Sequence, residues 1–177
     1  MIKVYKKKIE NLVILKNKTY RDKRGYFREL LKEKLIKKRF PFQVMSFSKK
    51  NVIRGLHFQF PKKQIKIIHV IEGKILDIVV DISKTSKTFG KVYKYYLQEG
   101  DSLVVPNSYA HGYECISNNC KILYHLDGYR NIKSENGINF NDKDLAIKWH
   151  SKKPIVSIRD KNNLSFKEFK KKKIIFK

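Results

Sequence analysis

A chain of 177 residues with 41% hydrophobic residues has the length and apolar content of one ordinary domain with a full core. No run approaches the roughly 18 consecutive apolar residues of a membrane span. Met1-Ile2-Lys3-Val4-Tyr5-Lys6 also lacks the apolar core of a secretory signal, so a cytoplasmic protein with no membrane partner is expected. The formal charge of +25 invites a nucleic-acid reading, but the excess is Lys, spread from Lys3 to Lys177 among abundant Ile and Asn. That is a bias of surface composition, not Arg and aromatic residues gathered on one face, so no nucleic-acid partner is expected. An anionic small substrate remains compatible with the positive field.

The first segments, Val13-Ile14-Leu15 and Thr19 to Phe27, read as short strands around an Asp-Lys-Arg-Gly turn. Glu29 to Lys38 carries Leu30, Leu31, Leu35 and Ile36 at helical spacing among lysines and reads as a surface helix. From Val44 onward the pattern is one of strands. Val52 to Phe60, Ile65 to Glu72, Lys74 to Ile82, Lys91 to Leu97, Ser102 to Val105, Tyr113 to Ile116 and Lys121 to Leu126 are short, and Gly, Asn, Ser or Pro separates most of them. Such spacing argues for an all-β jelly-roll sandwich or barrel. Asn141-Asp142-Lys143-Asp144-Leu145-Ala146-Ile147 begins with a good N-cap and an acidic first turn, which predicts a turn or two of helix. The basic C-terminal tail from about residue 167, with Lys170 to Lys173, is expected to be solvated, and residues 1–177 form one domain.

Arg54-Gly55-Leu56-His57-Phe58-Gln59 is the best active-site candidate, because it sets a cation and an imidazole three residues apart in a β-like segment. Lys66 lies inside the next strand, where lysines face water or serve a cavity. A jelly roll of this size encloses such a cavity between its sheets, and His57, Lys66, His69, Asp77, Asp81, His111, Tyr124, His125 and Asp160 are candidates for its inward polar residues. No His-x-His pair is present, and His57 and His69 are too far apart for a one-strand chelate, so no metal is expected. Cys115 and Cys120 fit neither a disulfide framework nor a zinc site and read as reduced strand residues.

Asp22 to Glu29, Arg54 to Gln59, Gln64-Ile65-Lys66, Gly73 to Asp81, Thr88-Phe89-Gly90, Val105-Pro106 to Tyr113, Gly137-Ile138, Asn141-Asp142 and Ser157 to Asp160 are each weak signals. In this order they resemble the dTDP-4-dehydrorhamnose 3,5-epimerase family, metal-free cupin jelly rolls that act on sugar nucleotides. The resemblance covers nearly the whole chain. It implies a homodimer, with the N-terminal strand crossing to the partner, no cofactor, and a nucleoside-diphosphate 4-keto sugar as substrate. By the same resemblance His57 is the base, Asp160 its hydrogen-bond partner, Lys66 the cation at the enolate oxygen and Tyr124 the acid on the opposite face. Tyr20, Arg24, Phe27, Glu29, Arg54, His111, Glu135 and Arg159 match binding positions. An epimerase needs these three functions because a proton beside a ketone is acidic only when the enolate oxygen is stabilised.

Departures from the family pattern bear on selectivity. Phe42 and Val44 stand where a Gln-x-Asn pair is common, Tyr129-Arg130 where a Tyr-Tyr pair is common, and Phe140 where a Trp is usual. Arg130 is therefore a candidate contact to a charged or differently hydroxylated sugar. A single-site epimerase, a ketoisomerase and a non-catalytic sugar-nucleotide-binding cupin remain open as alternatives at this point.

Overall fold

The computed structural model describes residues 12–174, residue 176, and the backbone of residues 3–6. Met1 and Ile2, read above for a signal segment, lie outside the described residues. In chain order the strands are β1 Lys3–Lys6, β2 Val13–Lys16, β3 Thr19–Asp22, β4 Gly25–Arg28, β5 Phe42–Lys49, β6 Val52–Gln59, β7 Lys66–Glu72, β8 Lys74–Asp81, β9 Val92–Gln98, β10 Asp101–Val105, β11 Tyr109–Cys115, β12 Asn119–Leu126, β13 Glu135–Gly137 and β14 Ile155–Val156. The helices are α1 Glu33–Ile36, α2 Ile158–Lys161 and α3 Phe166–Lys171.

Two sheets face each other. The first runs β1-β2-β10-β7-β12-β5 and the second β13-β6-β11-β8-β9, with β14 added in parallel beside β6. The β3–β4 hairpin stands apart as a two-stranded unit. Ile68, Val70, Leu103, Val105 and Ile122 from the first sheet meet Ile75, Val79, Tyr95, Leu97 and Tyr113 from the second in the central core. Outside the second sheet, Leu76, Ile78, Val80 and Phe58 are covered by Leu145, Phe166, Phe169 and Phe176 of the C-terminal segment. β8 is thus buried on both faces, which is why its sequence is a continuous apolar run where a half-exposed strand would alternate. This is the jelly roll expected from the strand spacing.

Three local expectations change. The helix over Glu29 to Lys38 shrinks to the single turn α1, closed when Lys37 adopts a left-handed φ of 56° and its N–H donates to the Glu33 carbonyl. Ile36 and Leu31 instead pack with Phe40, Leu15, Ile67 and Val104 against the outer face of the first sheet. After Asn141 the chain makes one turn and no longer helix: Asp142 accepts the N–H groups of Asp144 and Leu145 as an N-cap does and its carbonyl accepts the Ala146 N–H, while its other carboxylate oxygen takes the Phe166 N–H. Ala146, at φ 45°, turns the chain away. Helix α3 was not anticipated; a Ser165–Glu168 capping box starts it, and Phe166 and Phe169 anchor it. Lys170 to Lys173 are exposed, while Ile174 and Phe176 beyond them are buried.

Strict alternation along β7 also relocates two histidines. Ile68 and Val70 point into the core and Ile67 points out, so His69 points outward as well. There it is 1% exposed, its Nδ1 2.7 Å from Ser102 Oγ, its ring edge-on to that of His125 at 4.8 Å, and its Nε2 without a hydrogen-bond partner among the described residues. Burial, reinforced by the neighbouring His125, pushes the His69 imidazole down from 6.5 to about 3. Burial also lowers His125, against the pull of Glu33.

The His69 ring is therefore neutral in the fold at pH values where the unfolded chain takes up a proton, below pH 6.5. Stability falls as pH drops through that value, with a limiting slope of about 1.4 kcal/mol per pH unit for His69 alone, until the folded value is reached. Urea midpoints taken between pH 7.5 and 5.5 are expected to show this loss, and His69→Gln to flatten it; parallel curves for the two proteins would refute the assignment.

Candidate active site

A cavity of about 640 Å³ opens between the sheets. From the second sheet β6 supplies Arg54 and His57, β11 supplies His111 and Tyr113, and β13 supplies Glu135; from the first, β7 supplies Lys66, β12 supplies Tyr124 and Leu126, and β5 supplies Phe42 and Val44. Arg130 lies at the rim after β12, and Ser157, Arg159 and Asp160 reach in from α2 and its N-cap. All four residues of the expected catalytic set share this cavity, with His57 and Tyr124 on opposing sheets.

His57 is held from behind. Its Nε2 lies 2.7 Å from Asp160 Oδ1, and Asp160 Oδ2 accepts the Gly55 N–H at 3.1 Å. Ser157 caps α2 by accepting the Asp160 N–H, which fixes the carboxylate at the helix start. Burial alone would push the Asp160 carboxyl up, but the bonds from His57 and Gly55 and the charge of Arg159 hold it below its ordinary value. Position 55 requires glycine: φ is +132°, and a Cβ would lie 2.5 Å from Gly112 Cα. With Nε2 engaged by Asp160, Nδ1 is the nitrogen left to accept a proton.

Lys66 Nζ donates to the His57 carbonyl at 3.3 Å. Burial lowers its ammonium to about 8, partly offset by the negative charge of Glu135. Burial likewise raises the Tyr124 phenol well above its ordinary value, reinforced by Tyr113 and opposed by Ser46 and Arg54. Ser46 and Ser48 both bond the Tyr113 hydroxyl, at 3.0 and 2.8 Å. Ser48 also accepts from Arg54 Nε, and the Phe47 carbonyl accepts from Arg54 Nη2. These serines, missed in the sequence, were signalled by the Ser46-Phe47-Ser48 alternation, which turns both hydroxyls inward.

His111 is the Cα partner of His57 across β11 and β6, and its Nε2 lies 2.8 Å from the buried Asp77. At the rim Glu135 pairs with both Arg130 and Arg159, the latter at 2.7 Å, and the Arg130 bond is the main cause of its lowered carboxyl. Arg130 and Arg159 thus share Glu135, and Arg54, bonded to Ser48 and Phe47, lies in the same cavity lining; three guanidiniums there suit a diphosphate.

Other candidates lie elsewhere. Asp81 accepts from Ser83, Ser86 and Thr88 and braces the loop after β8, while His69 and His125 lie under the outer face of the first sheet. Tyr20, Arg24, Phe27 and Glu29 do not line the cavity of their own chain. Arg24 pairs with Asp22, Glu29 with Lys32, and the Phe27 ring is 67% exposed. The two cysteines are free and buried, on β11 and β12. Among the described residues no helix is long and apolar enough to cross a membrane.

Residues 6–168 match the family model for dTDP-4-dehydrorhamnose 3,5-epimerase. The enzyme of that name from Shigella flexneri is 33% identical over 172 residues, covering 92% of this chain and 95% of the relative. Among solved structures, dTDP-6-deoxy-D-glucose-3,5-epimerase from Legionella pneumophila, in complex with dTDP-4-keto-L-rhamnose, superposes with a TM-score of 0.88 at 30% identity over 93% of each chain. The Bacillus anthracis dTDP-4-dehydrorhamnose 3,5-epimerase with TDP and PPi bound gives 0.88 at 33% identity, over 93% of this chain and 99% of that one. A jelly roll whose cavity opposes a histidine and a tyrosine, matched along almost its whole length, places this chain in the dTDP-4-dehydrorhamnose 3,5-epimerase family.

Proposed function

We propose that this protein inverts carbon centres beside the ketone of a dTDP-linked 4-keto-6-deoxy sugar, at C3, C5 or both. The observation that carries the reading is the opposition of His57 and Tyr124 across one cavity, with Lys66 beside them. His57 Nδ1 takes the proton from the ring face turned toward the second sheet, and Asp160 steadies the imidazolium. The electron pair moves onto the ketone oxygen, where the Lys66 ammonium meets it. Tyr124 then returns a proton from the first-sheet side, and the centre is inverted. Arg54, Arg130 and Arg159 would hold the diphosphate, with His111 oriented toward the sugar by Asp77. The established binding of dTDP-4-keto-L-rhamnose and of TDP by the two structural relatives supports this substrate class.

We further propose a homodimer in which the β3–β4 hairpin completes the cavity of the second copy. β1, the strand expected to cross, pairs with β2 of its own chain, and the hairpin is taken as the crossing element. Arg24, with a side chain 90% exposed, together with Tyr20 and Phe27 offers a cation and two aromatic rings to a nucleotide.

With the dTDP 4-keto-6-deoxy sugar in deuterium oxide, the wild type is expected to incorporate deuterium at the inverted carbons. His57→Ala should lower exchange by about 10²–10⁴-fold. Tyr124→Phe should leave exchange measurable while reducing inverted product. Exchange unaffected by His57→Ala would overturn the mechanism.

Loss of the Lys66 charge should produce an alkaline fall in kcat/KM centred near pH 8, present below that value and lost above it. Lys66→Arg, slower but permanently charged, is expected to lose that limb. A limb unchanged in Lys66→Arg would assign it to another group.

Hairpin crossing has its own test, in which inactive His57→Ala and impaired Arg24→Ala proteins are mixed under conditions of subunit exchange. A mixed dimer then contains one cavity with wild-type His57 facing a wild-type Arg24, so activity should recover. No recovery in a mixture shown to contain mixed dimers would place Arg24 in its own chain's site or outside it.

A further inference from the structure

A second cleft, of about 510 Å³, shares no lining residue with the catalytic cavity. Thr19, Arg21 and Arg28 of the β3–β4 hairpin line one side of it, and Lys74 at the start of β8 with Gln98 and Glu99 at the end of β9 line the other. Its charge is unbalanced, because three cations meet one carboxylate. Glu99 Oε1 lies 2.9 Å from Arg28 Nη2 and 4.0 Å from Arg21 Nη2, so a single oxygen serves both guanidiniums. The Arg28 side chain is nonetheless only 5% exposed. Its Nε donates to Thr19 Oγ1 at 2.7 Å, its Cζ lies over the Tyr26 ring at 4.7 Å, and it rests against Gly100, where a Cβ would lie 3.4 Å from Cζ. Among the described residues Arg28 Nη1 and the Lys74 ammonium have no hydrogen-bond or ion-pair partner. A guanidinium taken out of water needs its donors met, and one shared carboxylate meets them only in part.

We propose that this cleft binds a phosphate-type anion, and that the bound anion ties the hairpin to the body of the sandwich. Arg28 supplies a guanidinium already fixed in position, while Arg21 and Lys74 add two exposed cations. Together they offer a phosphate group several charge-assisted bonds, with the forked geometry that a guanidinium provides. Thr19 and Arg28 are the Cα partners that close the root of the hairpin, whose two strands pair with each other alone among the described residues. An anion between Arg21 and Arg28 on one side and Lys74 on the other therefore spans from the hairpin to β8. The site stands independently of the substrate reading above, and its bearing on catalysis rests on the hairpin's proposed place in the second copy's cavity.

The test titrates inorganic phosphate into the full chain by phosphorus NMR at fixed ionic strength. Two classes of site are expected, this cleft and the guanidiniums of the catalytic cavity. Arg21→Gln and Lys74→Gln should each weaken the first class at least about tenfold and leave the second, whereas Arg159→Gln should do the reverse. Arg28 is left intact so that the hairpin keeps its root. Lys87→Gln removes an exposed lysine from the loop after β8 and should change neither class. Phosphate should also slow amide hydrogen exchange across residues 19–28 in the wild type and not in Lys74→Gln. Binding unaltered in both cleft variants, or lowered equally by Lys87→Gln, would mean an adventitious ion only and would overturn the site. Binding that leaves exchange in the hairpin unchanged would overturn the tie. Absence of the Arg159-dependent class alone would count against the diphosphate role of the cavity and leave this inference standing.

Discussion

One carboxylate holds the catalytic half of the molecule in place. Asp160 joins α2 to β6 through two bonds, to the His57 ring and to the Gly55 N–H, across more than a hundred residues of sequence. It acts on a strand already fixed from both sides. β6 pairs with β11 on one edge, and on the other with β13 near His57 and β14 near Val52, while Leu56 and Ile138 exchange backbone bonds between them. The C-terminal third of the chain contributes short segments that close this edge and deliver Asp160 to it. An imidazole with both its backbone and its Nε2 constrained has little freedom left, so the proton-accepting nitrogen is positioned before substrate arrives.

The unusual charge of the chain is consistent with this interior because its buried carboxylates are supplied with donors. Among the described residues three of them, outside the His57–Asp160 pair, are met by backbone N–H groups, hydroxyls or an imidazole. Glu114 accepts the N–H groups of His150 and Ser151, Asp81 gathers hydroxyls of its loop, and Asp77 orients His111. A buried carboxylate with donors on its oxygens is tolerated where an unpaired one would not be. Lysine supplies the surface, where each charge remains hydrated and the replacement of one polar residue by another leaves the sheets unaltered. The large positive charge therefore coexists with an ordinary sandwich, and its functional consequence is attraction of an anionic substrate toward a cavity already rimmed by guanidiniums.

Period-two alternation made most of the sandwich legible, since β6 through β10 and β12 each bury one or both faces over several residues. It failed where the signal is short. Tyr109 to Gly112, with a glycine and a histidine inside, falls outside the strand expected over Tyr113 to Ile116 but is the start of β11, held between β6 and β8. The capping group after Phe140 is Asp142, one residue beyond the expected Asn141, and its second carboxylate oxygen receives the start of α3. The inward or outward sense of His69 could be read only once Ile68 and Val70 were known to face the core. Site residues followed a different logic. A pairing such as His57 with Asp160 leaves no local periodicity, and its recovery depended on the ordered motifs of a family resemblance. Tyr20, Arg24, Phe27 and Glu29 came from the same resemblance and lie outside the cavity.

The same desolvation sets both proton-handling groups opposite His57, and it moves them in opposite senses. It raises the Tyr124 phenol and lowers the Lys66 ammonium, in each case favouring the neutral form. In the proposed mechanism the neutral form of Tyr124 is the working form, because a donor must hold its proton until the carbanion-like centre forms, and the charged form of Lys66 is the working one. For Lys66 the neutral form is useless, and only the charge of Glu135, itself shared with two arginines, pulls in the other direction. A substrate that brings negative charge into the cavity adds to that pull, and the enolate adds more at the oxygen itself. The ammonium is therefore least favoured in the empty site and most favoured when charge develops on the ketone oxygen, so its interaction strengthens along the reaction coordinate, the property by which binding energy becomes catalysis.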